Sequence, residues 1–163
     1  MDGAYDLAQQ VAAAYAAKAP LAITGAGSRG FLGNRVAGQA LALAAHRGIT
    51  AYEPGELCIT ARAGTPLHEI ETELNAAGQM LAFEPPRFAA TSTLGGAIAS
   101  GLSGPRRAYC GAVRDFVLGC RLLNGRGEIL SFGGQVMKNV AGYDVSRLMV
   151  GAYGTLGVLL DIS

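Results

Sequence analysis

The chain has 163 residues, of which half are hydrophobic and 15% are charged, with thirteen basic residues against twelve acidic ones. This composition fits one folded domain or two closely packed lobes and argues against a disordered chain. The formal net charge of +1 gives no electrostatic basis for binding nucleic acid or an anionic membrane surface.

The first segment predicts a helix from Tyr5 to Ala17, because its apolar residues recur at helical spacing and Pro20 follows. The apolar stretch Leu7–Ile23 is interrupted by polar residues and is too short to cross a bilayer. No basic segment of a signal peptide precedes it. We therefore expect a cytoplasmic protein, which partner subunits could hold at the inner face of a membrane.

Three short strands and a second helix follow in the pattern. The strands are predicted at residues 21–24, 49–53 and 57–63. The helix is predicted from Pro66 to about Ala77, with Thr65 as its N-cap.

The composition changes at residues 83–86, and we place there the boundary between two lobes, residues 1–82 and 83–163. The second lobe has predicted helices at residues 92–101 and 144–150, and predicted strands at residues 113–123, 128–132 and 156–162. Asn124-Gly125 marks a hairpin between the first two of these strands. The pattern predicts an α+β fold, with a small parallel sheet in the first lobe and a mainly antiparallel sheet flanked by helices in the second.

The three cysteines are far apart and lack C-x-x-C spacing, which argues against a disulfide scaffold and against an iron–sulfur cluster on this chain. His46 and His68 have no partner ligands at metal spacing, so we expect no metal site.

Glycine is abundant, with 24 residues, and three glycine-rich segments each join a loop to a regular element. These segments are residues 25–30, 92–104 and 151–158. Such loops let the backbone approach a ligand closely, although a plain turn or close helix–sheet packing also explains a single one. The first segment also fits the dinucleotide pattern G-x-G-x-x-G, but no apolar helix follows it directly, which disfavours a nicotinamide-binding domain.

The order of GAGSRG, STLGGAIASGLSG and KNVAGYDVSRLMVGAYGTLGV along the chain resembles the FAD-binding domain of the vanillyl-alcohol-oxidase (PCMH-type) flavoproteins. Residues 133–144 are most similar to the FAD-binding subunits of glycolate oxidases. The resemblance implies a two-lobed PCMH-type fold. It also implies that FAD is bound by Gly25, Ala26, Gly27, Ser28, Arg29, Pro86, Ser92, Thr93, Gly95, Gly96, Ser100, Gly101, Gly154, Gly157 and Val158.

Covalent members of this family carry a histidine in the first glycine loop, where this sequence has Ser28-Arg29. The resemblance therefore implies noncovalent FAD. The family continues into a substrate-binding cap domain that this sequence lacks, so we expect the isolated chain not to turn over substrate.

The resemblance implies a flavin-dependent 2-hydroxy-acid oxidoreductase that oxidises glycolate to glyoxylate, together with a second flavoprotein subunit and an iron–sulfur subunit. Its catalytic residues are not identified by the sequence. The alternative is a non-catalytic subunit of a flavoprotein complex, which serves as an electron relay or in assembly.

Overall fold

The computed structural model describes residues 3–135 and 142–163, so part of the motif at residues 133–144 lies outside the described residues. The helices are α1 (Gly3–Ala16), α2 (Leu67–Ala76), α3 (Leu94–Ser100), α4 (Arg107–Cys110) and α5 (Val145–Leu148). The strands are β1 (Leu21–Thr24), β2 (Gln39–Ala42), β3 (Ile49–Glu53), β4 (Cys58–Arg62), β5 (Gly119–Leu123), β6 (Ile129–Gly133) and β7 (Val158–Ile162). Short 3₁₀ turns lie at Pro54–Glu56 and Val113–Phe116.

The strands form two sheets of different kinds. β1 and β2 make a two-stranded parallel sheet, in which Leu21 lies opposite Gln39. The other five make an antiparallel sheet in the order β3-β4-β7-β5-β6, with β5 and β6 joined by the predicted hairpin. The predicted α+β fold, with a small parallel sheet and a larger antiparallel one, is confirmed.

The antiparallel sheet takes strands from both sides of residue 83. β4 pairs with β7, with Ala61 opposite Ile162, so β3 and β4 belong to the same sheet as the three later strands. The division between the parallel and the antiparallel sheet therefore does not lie at residue 83, because β3 and β4 precede that residue and belong to the antiparallel sheet. The division into residues 1–82 and 83–163 stays a prediction.

Strand β7 is buried along its whole length because apolar clusters lie on both faces of the sheet. Leu159 and Ile162 join the cluster formed with α2 and α3, while Val158 and Leu160 join the cluster formed with α1 and β2. A strand whose side chains are divided between two covered faces is largely apolar, and four of the five residues of β7 are apolar. β7 therefore connects the two cores.

One charged residue of β7 is buried as well. Asp161 accepts a hydrogen bond from Arg121 Nη1 at 2.7 Å, and its other oxygen lies 3.6 Å from His46 Nε2. Burial alone would raise the pKa of Asp161, but the cationic Arg121 and the nearby imidazole outweigh burial and hold the pKa below its ordinary value. The Arg121 contact is the closer, and 3.6 Å is too long for a good hydrogen bond from His46.

Several local predictions from the sequence differ from the structure. Strand β2 was not predicted, and it forms because its backbone pairs with β1 although only Leu41 of its side chains is buried. Thr65 does not cap α2, because its hydroxyl donates to the carbonyl oxygen of Arg62 at 2.6 Å. The strand predicted at residues 113–123 begins at Gly119, since a 3₁₀ turn occupies its first part.

Candidate functional site

The three glycine-rich segments meet around a groove of about 710 Å³. One wall is the loop that follows β1, the second is helix α3, and the third is the loop between α5 and β7. The groove is open to solvent, and its length along three loops suits an extended ligand. Segments that are far apart in sequence thus come together at one site.

The first wall is a loop that leaves β1 at Thr24 and returns as β2 without an intervening helix. Gly27 adopts a φ of +71°, and the Gly30 N–H donates to the Gly27 carbonyl at 3.2 Å to close a turn. In the described chain, no protein group accepts from the N–H groups of residues 26–28. The predicted lack of a helix after Gly30 is confirmed, so the dinucleotide pattern is not in its usual structural context.

The second wall depends on glycines that are packed tightly. A Cβ atom at Gly95 would lie 2.7 Å from the Cβ of Ala63, and one at Gly25 would lie 2.6 Å from Thr93 Oγ1. Thr93 caps α3 by accepting a hydrogen bond from the Gly96 N–H at 3.2 Å. Gly25 lets the first loop approach the start of α3, and Gly95 lets α3 approach Ala63 at the end of β4. Both contacts place the start of the helix at the groove.

The third wall has two consecutive residues in the left-handed region, Tyr153 with φ +51° and Gly154 with φ +76°. The Tyr153 N–H donates to the Ala99 carbonyl at 2.9 Å, which ties this loop to α3. A Cβ at Gly154 would lie 3.1 Å from the Ile23 side chain. A strained non-glycine backbone of this kind persists only when neighbouring contacts hold it, and such strain is typical of functional sites.

Arg29 projects from the first loop toward the other walls. Its Nη2 donates to the Pro86 carbonyl at 2.7 Å, and its guanidinium carbon lies 5.4 Å from the centre of the Phe88 ring. Burial lowers the pKa of the Arg29 guanidinium, while Tyr153 acts in the opposite direction. The guanidinium nevertheless remains protonated at neutral pH, because arginine is not deprotonated in proteins.

The charges at the groove have one sign. Arg29 and Arg35 line it, and no carboxylate of the described chain does. Hydroxyl groups are provided by residues of all three walls, among them Ser28, Thr93 and Thr155. The groove therefore suits an extended ligand with an anionic centre.

Most residues predicted from the sequence line this groove, namely Gly25, Ala26, Gly27, Ser28, Arg29, Thr93, Gly95, Gly96, Ser100, Gly154 and Gly157. Pro86 and Ser92 lie behind the first loop, where they contact Arg29 and Ser28 respectively. Gly101 ends α3 with φ +67° and packs against Gly151, and Val158 lies in the core.

Sequence reasoning missed several groove residues. Tyr153 lies next to Gly154 within the third glycine-rich segment, and Arg35 lies five residues after the end of the first one. Their polar side chains were the available signal. Ala63 and Met149 carry no such signal, because their position depends on how β4 and α5 pack.

The described residues contain no group of three histidine, cysteine, aspartate or glutamate side chains able to hold a metal ion. No helix within residues 3–135 and 142–163 has the length and apolar character needed to cross a membrane. Cys58, Cys110 and Cys120 are all free thiols.

A family model described as an FAD binding domain matches residues 3–133. The glycolate oxidase subunit GlcE of Escherichia coli is 59% identical over 157 residues, which are 96% of this chain and 45% of that protein. The D-2-hydroxyglutarate dehydrogenase of Xanthomonas citri is 36% identical over 105 residues, covering 63% of this chain and 22% of that protein. The glycolate oxidase subunit GlcD of Bacillus subtilis is 43% identical over 70 residues, or 43% of this chain and 15% of that protein. The chain thus spans less than half the length of these relatives.

Proposed function

This chain belongs to the FAD-binding domain family, and from that membership we propose that it forms the cofactor-holding part of a 2-hydroxy-acid oxidoreductase. The proposed substrate is glycolate and the proposed product is glyoxylate. The observation that carries this proposal is the groove, in which three glycine segments and two arginines meet with no opposing carboxylate among the described residues. The similarity to a glycolate oxidase subunit over nearly the whole chain supports the choice of substrate.

The groove residues fit FAD. The free N–H groups of residues 26–28 and the Arg29 side chain would face its pyrophosphate, since both are donors suited to an anion. Gly95 and Gly96 would lie along the flavin and ribityl chain, which is supported by their position in the lining of the groove. Gly154 and Gly157 would contact the cofactor from the opposite wall.

When it is bound, FAD supplies the acceptor for a hydride from the carbon that carries the substrate hydroxyl. The residues of this chain bind and orient the cofactor. No histidine lines the groove among the described residues, so we propose that the attachment is noncovalent.

We also propose that the protein works in a complex with a second flavoprotein subunit and an iron–sulfur subunit. The relative GlcE carries the name of a subunit, which supports a multi-subunit assembly. In this proposal the complex is cytoplasmic or is held at the inner face of the membrane through its partners.

The purified protein tests the proposal through its visible spectrum. We expect FAD to be bound either on purification or after incubation with the cofactor. In the assembled complex, glycolate should bleach the flavin absorbance under anaerobic conditions, whereas the control acid acetate should not. Protein that takes up no FAD would contradict the proposed function. Bound FAD that glycolate never reduces in the complex would instead favour an electron-relay or assembly subunit.

A further inference from the structure

The turn between β3 and β4 carries a leucine in a backbone conformation that suits glycine. Leu57 has φ +55° and ψ +32°, which lies in the left-handed region. Tight hairpin turns normally place glycine or asparagine at such a position, because a Cβ atom is disfavoured there. The turn does contain a glycine, but Gly55 stands two residues earlier, where φ is not positive. An apolar L-residue thus occupies the strained position.

The described chain makes no use of the Leu57 side chain. It is 78% exposed and belongs to neither apolar cluster. Glu84 also has a positive φ but differs in this respect, because its carboxylate accepts hydrogen bonds from Arg106. A large apolar side chain that is exposed and held in a strained conformation does not stabilise the free chain. It points instead to a contact with another molecule.

The turn is held in shape by hydrogen bonds from its neighbours. Gln79 Nε2 donates to the Pro54 carbonyl at 2.8 Å, and Tyr52 Oη donates to Gln79 Oε1 at 2.9 Å. The Leu57 N–H donates to the Pro54 carbonyl at 3.2 Å. A side chain presented on a braced turn loses little conformational freedom on binding. Within the described part of the chain, no residue of this turn lines the groove.

Two carboxylates flank the leucine and set the chemistry of the partner. Glu53 and Glu56 are exposed, and neither forms an ion pair within residues 3–135 and 142–163. Pairing with the same turn of a second copy would bring like charges together, and a purely apolar surface would leave the carboxylates uncompensated. The complementary surface is an apolar pocket bordered by lysine or arginine side chains.

We propose that residues 53–57, the Leu57 turn, form an interaction surface that inserts Leu57 into an apolar pocket with a basic rim on another subunit of the complex. This inference rests on the proposed function, in which the chain works in a multi-subunit assembly. Leu57 strains the free chain and is stabilised only in the complex. Replacing it should therefore have opposite effects on the stability of the chain and on assembly.

The stability test compares Leu57→Asn and Leu57→Gly with the control Lys18→Gly. Lys18 is also exposed and has φ +51° just after α1, so the control relieves the same kind of backbone strain elsewhere. All three variants should raise the melting temperature of the unliganded protein by about 1–4 °C, because asparagine and glycine tolerate the left-handed region.

The assembly test uses the FAD-loaded protein with the second flavoprotein subunit and the iron–sulfur subunit of the proposed complex. The dissociation constant is measured by sedimentation velocity at low and high ionic strength. Leu57→Asn and Leu57→Gly should weaken assembly by about 10- to 100-fold, the loss expected for one buried leucine, and Lys18→Gly should not. Glu56→Lys and added salt should weaken it as well, since both oppose the attraction to a basic rim.

Three results would overturn the inference while leaving FAD binding intact. The first is assembly of the Leu57 variants as tight as that of wild type, or wild-type protein that assembles with neither subunit. The second is a lower melting temperature in both Leu57 variants, which would mean that Leu57 supports the fold. The third is self-association of the wild-type chain that Leu57→Asn abolishes, which would assign the turn to a second copy.

FAD titration separates these failures from failure of the proposed function. FAD affinity should be the same in wild type and Leu57→Asn, because the turn lies outside the groove. Wild-type protein that takes up no FAD would contradict the proposed function, whereas a loss of assembly confined to the Leu57 and Glu56 variants would still support the interaction surface.

Discussion

Replacing Gly27 by valine tests whether the first loop lies against the cofactor. Gly27 has φ +71°, and a Cβ built on it would meet no atom within 4 Å. The protein therefore has space for the side chain, and the cost within the protein comes from the backbone conformation. That cost is about 1–2 kcal/mol for an L-residue in the left-handed region, and a β-branched side chain is especially disfavoured there.

Gly78 provides a matched control. It has φ +68° after the end of α2, has equally open surroundings, and does not line the groove. Gly27→Val and Gly78→Val should lower the melting temperature of the unliganded protein similarly, by about 2–8 °C. Gly27→Val alone should weaken FAD binding, by at least about tenfold, because valine would obstruct the approach of the loop N–H groups to the pyrophosphate.

Fluorescence titration with FAD and thermal melts of both variants make this comparison. Equal FAD affinity in Gly27→Val and Gly78→Val would remove the first loop from the cofactor site. A much larger loss of stability in Gly27→Val would instead show that the loop supports the fold, and that the binding loss has a structural cause.

Three further predictions concern attachment, pH and packing. FAD should leave the protein on acid or heat denaturation, and flavin fluorescence that stays with the polypeptide on a denaturing gel would contradict noncovalent binding. Asp161→Asn should lower the unfolding free energy near neutral pH, because a carboxyl with a depressed pKa stabilises the fold above its ordinary pKa and loses that effect as the pH falls through the folded-state value. Melts of both proteins should therefore converge under acidic conditions, and a difference that persists there would contradict an electrostatic cause. Gly64→Ala should destabilise the protein by about 1–3 kcal/mol or more in urea unfolding, since its Cβ would overlap the carbonyl oxygens of Leu43 and His46; wild-type stability in this variant would refute that packing.

Local sequence signals determined several elements closely. Residues 21–24 form a strand as predicted, Asn124-Gly125 lies in the turn of the β5–β6 hairpin, and the segment after Thr93 forms a capped helix. In each case the information lies within a few residues, as an apolar run, a turn dipeptide or a short segment bracketed by glycine. The order of the predicted helices and strands also sufficed to expect an α+β fold, and the three glycine loops together indicated a ligand-binding role.

Only the tertiary structure decided how these elements combine. β2 depends on backbone pairing with β1, and the pairing of β4 with β7 joins strands about a hundred residues apart, which no local pattern encodes. Its sequence position would allow Thr65 to cap α2, but in the folded chain its hydroxyl donates a hydrogen bond to the Arg62 carbonyl oxygen. Local sequence patterns thus determined most of the strands and helices, together with the three glycine loops, but not β2 or α4. The convergence of three distant loops on one groove, and the hydrogen bond from Arg29 to Pro86 beside it, arise from long-range contacts that only the folded chain makes.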